Sequence, residues 1–289
     1  MTDVLTIGTD GSIHHVWWDT LGQLGRLSPA RASGGTIALG RDIAAVRPLV
    51  DTLVVVGIDP LSRLVALNGD AQLHLATGLI APTIVDPSGS YRRCAGPALV
   101  SRGAGLMDAI AVDDGGNLRW TTGTLFATIG TGWAPSLALA SATVFEPGAR
   151  PGLVTTPTGL AYLVVGTDGL LHSGSMSALP PSFEALIPVD PGVTVSATGP
   201  VALVSTGSEL VAVAVGTDRL LRAAFRSIAP GSPWTPLTPI DRDRSVSPLG
   251  GVSAVGVGGR ASVVAVFPDG RPCWSQFFDG IGWLPLRSA

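Results

Sequence analysis

Short apolar runs alternate with tight polar turns along this chain, and the same arrangement recurs six times. Each copy has an apolar run of about five or six residues, a turn that contains Asp, and a second strand-like run. The turn aspartates are Asp10, Asp59, Asp113 or Asp114, Asp168, Asp218 and Asp269. A recurrence at roughly fifty residues predicts a repeat protein built from six all-β units.

Each repeat is predicted to form four strands. The apolar run lacks polar alternation, which indicates a strand buried on both faces, and Asp-Gly turns such as Asp10-Gly11 favour a hairpin. A preceding segment of small apolar residues, such as 200–204, suits a crowded inner strand. A large side chain followed by Leu, as in 234–237, predicts an outer strand, where Pro is tolerated. Four strands are the size of a propeller blade.

The predicted fold class is all-β, a single six-bladed β-propeller of about four-stranded antiparallel blades. The approximate blade bounds are 1–40, 41–93, 94–146, 147–196, 197–247 and 248–289. The first repeat starts at its second strand, so the first blade has no identifiable inner strand. We expect the seam between the first and last blades to be the weakest part of the ring.

The composition narrows the classes of partner. Only 13% of residues are charged and the net charge is −3. The chain has no Lys, so every positive charge is Arg, which is typical of a GC-rich bacterial coding sequence. Without a basic cluster, nucleic-acid binding is not expected. No apolar run reaches the roughly 18 residues of a membrane helix, so no membrane partner is expected. No signal peptide is recognisable, which predicts a cytoplasmic protein or one secreted without such a signal.

The sequence gives little support for catalysis. Its three glutamates, Glu146, Glu184 and Glu209, fall in different repeats, and no His-x-His, Glu-x-x-His or Cys-x-x-Cys spacing for a metal occurs. Cys94 and Cys273 are far apart and are interpreted as free thiols. No cofactor and no metal are predicted, and an enzyme is not favoured.

Candidate ligand-binding residues come from the strand after the Asp turn. A Trp face can stack on the C–H face of a sugar, and His or Arg can donate to its hydroxyls. The candidates are His14, His15, Trp17, Trp18, Trp120, His172 and Trp274. The alternative is that these side chains pack between blades. The outer-strand aromatics (Trp133, Phe183, Trp234 and Trp283) are assigned to the core, and the turn aspartates to backbone contacts.

The segment 8–19, Gly-Thr-Asp-Gly-Ser-Ile-His-His-Val-Trp-Trp-Asp, resembles the repeat of bacterial propeller lectins of the Photorhabdus fucose-lectin type. It is similar, more loosely, to tectonin-like propellers. Repeats three and six, with Trp120 and Trp133 and with Trp274 and Trp283, look like weaker versions. The resemblance implies sugar sites between adjacent blades. Repeats two, four and five depart from it because their second strand has no Trp, and the familiar relatives often have seven blades.

Three functions follow as hypotheses. The leading one is a non-enzymatic, lectin-like propeller that recognises a carbohydrate or small neutral ligand through inter-blade or loop aromatics. The second is an enzyme or accessory protein of a bacterial biosynthetic pathway that uses the central channel. The third is a protein-interaction scaffold or homo-oligomer, because a low charge content predicts a neutral exposed surface.

Overall fold

The computed structural model describes residues 2–7, 13–18, 28–30, 43–49, 52–70, 83–92, 94–126, 130–139, 145–178, 181–229 and 231–288. In the first three ranges it describes the course of the backbone alone. The regular elements of these residues are all β-strands, joined by turns and bends. None of the described segments is a helix able to cross a membrane.

The chain divides into two compact units, residues 1–138 and 139–289. The strands of the first unit are β1 (Thr2–Ile7), β2 (Ile13–Trp18), β3 (Ser28–Ala30), β4 (Ile43–Leu49), β5 (Thr52–Ile58), β6 (Leu64–Asp70), β7 (Thr83–Asp86), β8 (Ala98–Gly103), β9 (Leu106–Val112), β10 (Leu118–Phe126), β11 (Gly130–Trp133) and β12 (Leu137–Ala138). The strands of the second unit are β13 (Gly152–Thr156), β14 (Gly159–Val165), β15 (Leu171–Ala178), β16 (Pro181–Phe183), β17 (Ile187–Pro188), β18 (Val201–Ser205), β19 (Glu209–Val215), β20 (Leu221–Ser227), β21 (Thr238–Pro239), β22 (Ser253–Val257), β23 (Arg260–Val266), β24 (Pro272–Phe278), β25 (Gly282–Trp283) and β26 (Arg287–Ser288).

These strands form six antiparallel sheets among the described residues, numbered here in chain order. The sheets are β1–β3, β4–β7, β8–β12, β13–β17, β18–β21 and β22–β26. In sheets three, four and six the outer strand is in two pieces that pair with the same neighbour. Pro135 and Pro285 stand between the pieces in sheets three and six, where a residue without an N–H interrupts pairing only at an edge. Sheets two to six therefore have the four-strand plan predicted for the blades.

The first sheet has three described strands. Its β1 precedes a hairpin and pairs with β2, so β1 takes the place of the second strand in the other sheets. Among the described residues of this sheet, no strand stands in the place of an inner strand, and the lack of one in the first blade stays a prediction.

The buried core of the second unit lies between its sheets. Strand β19 shows how: Leu210, Ala212 and Ala214 belong to the core shared with sheet four. Val211 and Val213, at the intervening positions, belong to the core shared with sheet six. Since successive side chains of a strand point to opposite faces, this strand is buried on both sides, as its unbroken apolar run predicts.

Two aspartates also link neighbouring sheets of this unit. The Leu237 N–H donates to the Asp190 carboxylate at 2.9 Å, from sheet five to sheet four. The Leu286 N–H donates to Asp241 at 3.0 Å, from sheet six to sheet five. Each aspartate follows the outer strand of its own sheet, and each leucine directly precedes outer-strand residues of the next sheet. The bonds therefore hold the outer edges of adjacent sheets together.

The aspartates of the tight turns accept backbone hydrogen bonds two residues further on. The Leu170 N–H donates to Asp168 at 3.0 Å, and the Leu220 N–H donates to Asp218 at 3.1 Å. The same bond is made by Asp59, Asp113 and Asp269. The backbone role predicted for the turn aspartates is confirmed for these five, while Asp10 lies outside the described residues.

A basic side chain after each of these turns pairs with the turn aspartate. The pairs are Arg63–Asp59 at 2.6 Å, Arg119–Asp113 at 2.8 Å, His172–Asp168 at 2.9 Å, Arg222–Asp218 at 2.6 Å and Arg271–Asp269 at 2.7 Å. The pairing closes the hairpin through side chains as well as backbone. It gives a structural role to the basic residue that follows each of these five turns.

Asp113 should make the stability of the fold depend on pH. Burial alone would raise the pKa of Asp113, but hydrogen bonds from Arg119 and Asn117 outweigh burial and hold that pKa below its ordinary value. The ionised carboxylate therefore stabilises the fold fully above its unfolded pKa of about 3.9, and this stabilisation is lost as pH falls through the lower folded value. We expect Asp113→Asn to lower the free energy of unfolding by about 1.5 kcal/mol at pH 7 and by much less near pH 2. Urea denaturation of both proteins across this range is the measurement, and a difference independent of pH would contradict the expectation.

Candidate functional site

A polar cluster lies between sheets four and five, towards their outer strands. In sheet four, Ser175 pairs across the strands with Ala161, and in sheet five Arg226 pairs with Leu210. Ala161 and Leu210 both belong to the core between these two sheets. Because directly paired residues project from the same face of a sheet, Ser175 faces sheet five and Arg226 faces sheet four.

Glu184 and Trp234 complete what we call the junction cluster (Ser175, Glu184, Arg226 and Trp234). The Glu184 N–H donates to the Ser175 carbonyl at 3.0 Å, and the Ser175 hydroxyl donates to the Glu184 carboxylate. The Thr235 N–H donates to the Phe225 carbonyl at 2.8 Å, which fixes the segment that carries Trp234. The Arg226 guanidinium carbon lies 5.1 Å from the centroid of the Trp234 ring, within the range of a cation–π contact.

The Arg226 cation is held in a largely desolvated position. Its residue is only 9% exposed. Burial lowers the pKa of the Arg226 guanidinium, and the Glu184 carboxylate opposes that shift. A buried cation of sheet five and an exposed carboxylate of sheet four are therefore close enough to interact electrostatically.

Two donors of the cluster have no acceptor among the described residues. These are the buried Arg226 Nε and Trp234 Nε1 atoms. Leaving a buried polar group unpaired costs about 1–3 kcal/mol, so a ligand oxygen that accepted from either atom would bind favourably. Ser175 and Glu184 supply oxygen atoms nearby. A hydroxyl both donates and accepts, so a group of neighbouring hydroxyls matches this set of donors and acceptors.

The next junction, between sheets five and six, is filled by aromatic rings at the corresponding positions. Phe225 stands in the place of Ser175, Phe277 in that of Arg226, and Trp283 in that of Trp234. The Phe225 and Phe277 centroids are 4.6 Å apart, and Trp283 lies 5.6 Å from Phe277 and 6.4 Å from Phe225. The Trp283 Nε1 atom is buried without a partner among the described residues, as Trp234 Nε1 is, so the local departure from the repeat lies in Ser175 and Arg226.

In the first unit, Trp133 of sheet three takes the position of Trp234. It pairs with Gly123, and a Cβ added to this glycine would lie 2.8 Å from a Trp133 ring carbon. The Trp133 indole N–H is also buried without a partner among the described residues. Because Gly123 replaces Arg226, this position has the aromatic ring without the cation.

Four of the predicted ligand residues lie in β2. In backbone register His14 pairs with Thr6, His15 with Leu5, Trp17 with Asp3 and Trp18 with Thr2. Their side chains are outside the described part of the structure. Their role in binding therefore stays a prediction.

Trp120, predicted as a ligand residue, is buried in sheet three at 5% exposure. Its indole N–H donates to Asp108 at 3.0 Å. Asp108 is fully buried and also forms a 2.6 Å ion pair with Arg102, which in turn donates to Thr122 at 2.9 Å. All of these contacts lie within sheet three, and a ligand role for Trp120 stays a prediction.

His172 and Trp274 lie in sheets four and six and do not belong to the junction cluster. His172 is 7% exposed, and its Nε2 is occupied by Asp168 in the turn pairing described above. Trp274 is half-buried and pairs with Val264 of β23 and Arg287 of β26. The ligand roles predicted for His172 and Trp274 therefore stay predictions.

Sequence reasoning did not select the residues of the junction cluster. It noted Glu184 as an isolated acid and assigned Trp234 to the core. One signal was present: Arg226 stands where repeats three, four and six have Gly123, Met176 and Phe277. As for metals, the described residues contain no group of three His, Cys, Asp or Glu side chains placed to bind one.

No protein-family model and no curated protein matches the chain. Solved structures are similar in fold. The BP39L lectin from Burkholderia pseudomallei has a TM-score of 0.78 at 19% identity, over 99% of this chain and 80% of that one. The Aleuria aurantia lectin, described as a six-bladed β-propeller with a novel fucose recognition mode, has a TM-score of 0.63 at 14% identity, over 99% and 93%. The SapL1 lectin, in complex with alpha methyl fucoside, has a TM-score of 0.63 at 13% identity, over 99% and 91%.

These similarities extend over nearly the whole chain, and they agree with the sheets found here. Five four-stranded antiparallel sheets and a first sheet of three strands correspond to the blades that the repeat predicts. The chain therefore has the fold of a six-bladed β-propeller, and the solved propellers it is similar to include lectins.

Proposed function

We propose that the chain is a non-enzymatic, lectin-like protein that binds a neutral carbohydrate at the junction cluster. The observation that carries the proposal is the pair of buried donors on Arg226 and Trp234, which have no partner in the described part of the chain, in a cluster with the oxygens of Ser175 and Glu184. Adjacent sugar hydroxyls would accept from the guanidinium and the indole and would donate to the carboxylate.

The structural neighbours support the class of ligand. Two of them have descriptions that mention fucose recognition or a bound fucoside. We therefore choose methyl α-L-fucoside as the first ligand to examine. A closer relation to the Photorhabdus fucose-lectin or tectonin-like type is part of the proposal and depends on the motif in segment 8–19.

The proposal predicts that matched changes at two junctions differ in effect. Trp234→Phe keeps a ring but removes the unpaired indole donor, and Arg226→Met keeps much of the volume but removes the guanidinium. We expect each to weaken carbohydrate binding by about tenfold or more, the equivalent of about 1.4 kcal/mol, in isothermal titration calorimetry. Trp283→Phe makes the same chemical change at the junction filled by rings and should leave the affinity unchanged.

A glycan array with neutral sugars identifies the ligand if the fucoside is not the preferred one. The proposal would be wrong if no neutral sugar bound at millimolar concentration to the folded wild-type protein. It would also be wrong if Trp283→Phe weakened binding as much as Trp234→Phe. Circular dichroism of each variant establishes that the fold is intact.

A further inference from the structure

A cavity away from the junction cluster lies at the turn end of sheet six. Its volume is about 570 Å³, within the range of small-molecule sites. It is lined by the hairpin segment of Phe267, Pro268, Asp269 and Arg271, by Arg244 and Ser245 of the preceding connection, and by Ser288 of the last strand.

The cavity lies where other sheets have a backbone hydrogen bond between the turn and the connecting segment. In sheet five, the Thr217 N–H donates to the Thr194 carbonyl at 3.3 Å, and the two hydroxyls lie 3.1 Å apart. In sheet three, the Asp114 N–H donates to the Ser90 carbonyl at 2.8 Å. Both bonds tie the connecting segment to the turn.

Sheet six has Pro268 at the position of Thr217, and Pro has no N–H to donate. The residue before it is Phe267, where sheets four and five have Gly166 and Gly216. The Phe267 side chain, 9% exposed, forms an apolar floor. Because Pro268 and Phe267 stand at these two positions, a space is left between the turn and the connecting segment.

The charges that line this space are two guanidinium groups and one carboxylate. Asp269 is already engaged, since it accepts from the Arg271 N–H at 3.0 Å and from Arg271 Nε at 2.7 Å. Arg244 lies over the Phe267 ring, 5.8 Å from its centroid, and forms no ion pair with any described residue. The serine hydroxyls of Ser245 and Ser288 add neutral donors at the same cavity.

We propose that this cavity is a second binding site, specific for a small ligand that carries an anionic group, of about the size of a monosaccharide. The Arg244 guanidinium binds the anion, because its planar set of donors matches a carboxylate or a phosphate in bidentate geometry. The Phe267 ring positions the guanidinium from below, and the hydroxyls of the two serines bind the polar remainder of the ligand. This site does not depend on the carbohydrate binding proposed for the junction cluster.

Calorimetry with three related probes tests the proposal on the whole chain: glucuronate, glucose 6-phosphate and neutral glucose. We expect one or both charged sugars to bind and the affinity to fall as NaCl is raised from about 50 to about 500 mM, because salt screens an exposed ion pair. Arg244→Gln should weaken this binding by about tenfold or more. Arg242→Gln, at a nearby exposed arginine that does not line the cavity, should leave it within about twofold.

The result also identifies the anion, since binding of glucuronate alone selects a carboxylate and binding of glucose 6-phosphate alone selects a phosphate. The proposal is overturned if neither charged sugar binds at about 10 mM, or if glucose binds as well as both. It is equally overturned if Arg242→Gln has the effect expected of Arg244→Gln. Methyl α-L-fucoside should not compete with the charged probe, which separates this site from the junction cluster.

Discussion

Replacing Asp108 by alanine is expected to lower the free energy of unfolding by about 3–5 kcal/mol. The Asp108 side chain is fully buried and pairs with Arg102, whose side chain is 20% exposed, at 2.6 Å. Burial raises the pKa of Asp108, and the contacts with Arg102 and Trp120 oppose that rise. Without the carboxylate, a desolvated guanidinium loses its counter-charge and the buried Trp120 indole loses its acceptor.

Two comparisons separate this effect from a general loss of acidic residues. Asp114→Ala removes an exposed carboxylate that accepts a hydrogen bond from the Ser90 hydroxyl, and it should change the free energy of unfolding by about 0.5 kcal/mol or less. The double replacement Arg102→Met with Asp108→Leu removes both charges and should recover much of the stability, because apolar residues often substitute well for a buried pair. Urea denaturation measures all three variants. A loss below about 1 kcal/mol for Asp108→Ala would show that the pair is not held as described.

The repeat predicted the parts of the fold that depend on local sequence. The doubly buried strand β19 follows from the unbroken run 210–215, and the hairpin after it follows from Asp218, whose carboxylate accepts the Leu220 N–H. The outer position of the segment 234–237 follows from Pro236, which an inner strand would not tolerate. Each of these features is decided by neighbours in sequence, so a single chain shows them.

The junction cluster could not be found in the same way. Glu184 and Arg226 belong to different repeats. Alignment of the repeats shows which positions are equivalent, but it does not show which positions of adjacent sheets lie close together. Trp234 was assigned to the core because an aromatic recurs at its position, and the structure packs it, half-buried, against the core between sheets four and five. What the repeat did not show is that its indole N–H has no partner among the described residues. The chemistry lies where one repeat departs from the others, as Arg226 does from Phe277.

The close approach of inner strands is the other point at which a small change should have a large effect. Gly256 in β22 lies against Ser205 of β18, and an added Cβ would collide with the Ser205 carbonyl, 2.8 Å from its carbon atom. The Gly259 N–H donates to the Thr206 carbonyl at 3.0 Å and holds these two segments at this spacing. The obstacle is backbone, which cannot rotate away as a side chain can. The small residues that the sequence shows in its inner strands are therefore a steric requirement.

We expect Gly256→Ala to lower the free energy of unfolding by about 3 kcal/mol, at the upper end of the usual cost of overpacking. Gly251→Ala is the matched control, because a Cβ at Gly251 would meet no atom within 4 Å. Neither glycine has a positive φ, so backbone strain does not distinguish them. The control should stay within about 0.5 kcal/mol of the wild type in urea denaturation. Both variants gain one methyl group, so the difference between their free energies of unfolding measures the contact of β22 with β18. Equal free energies of unfolding would contradict the expectation, because the two strands could then separate at little cost.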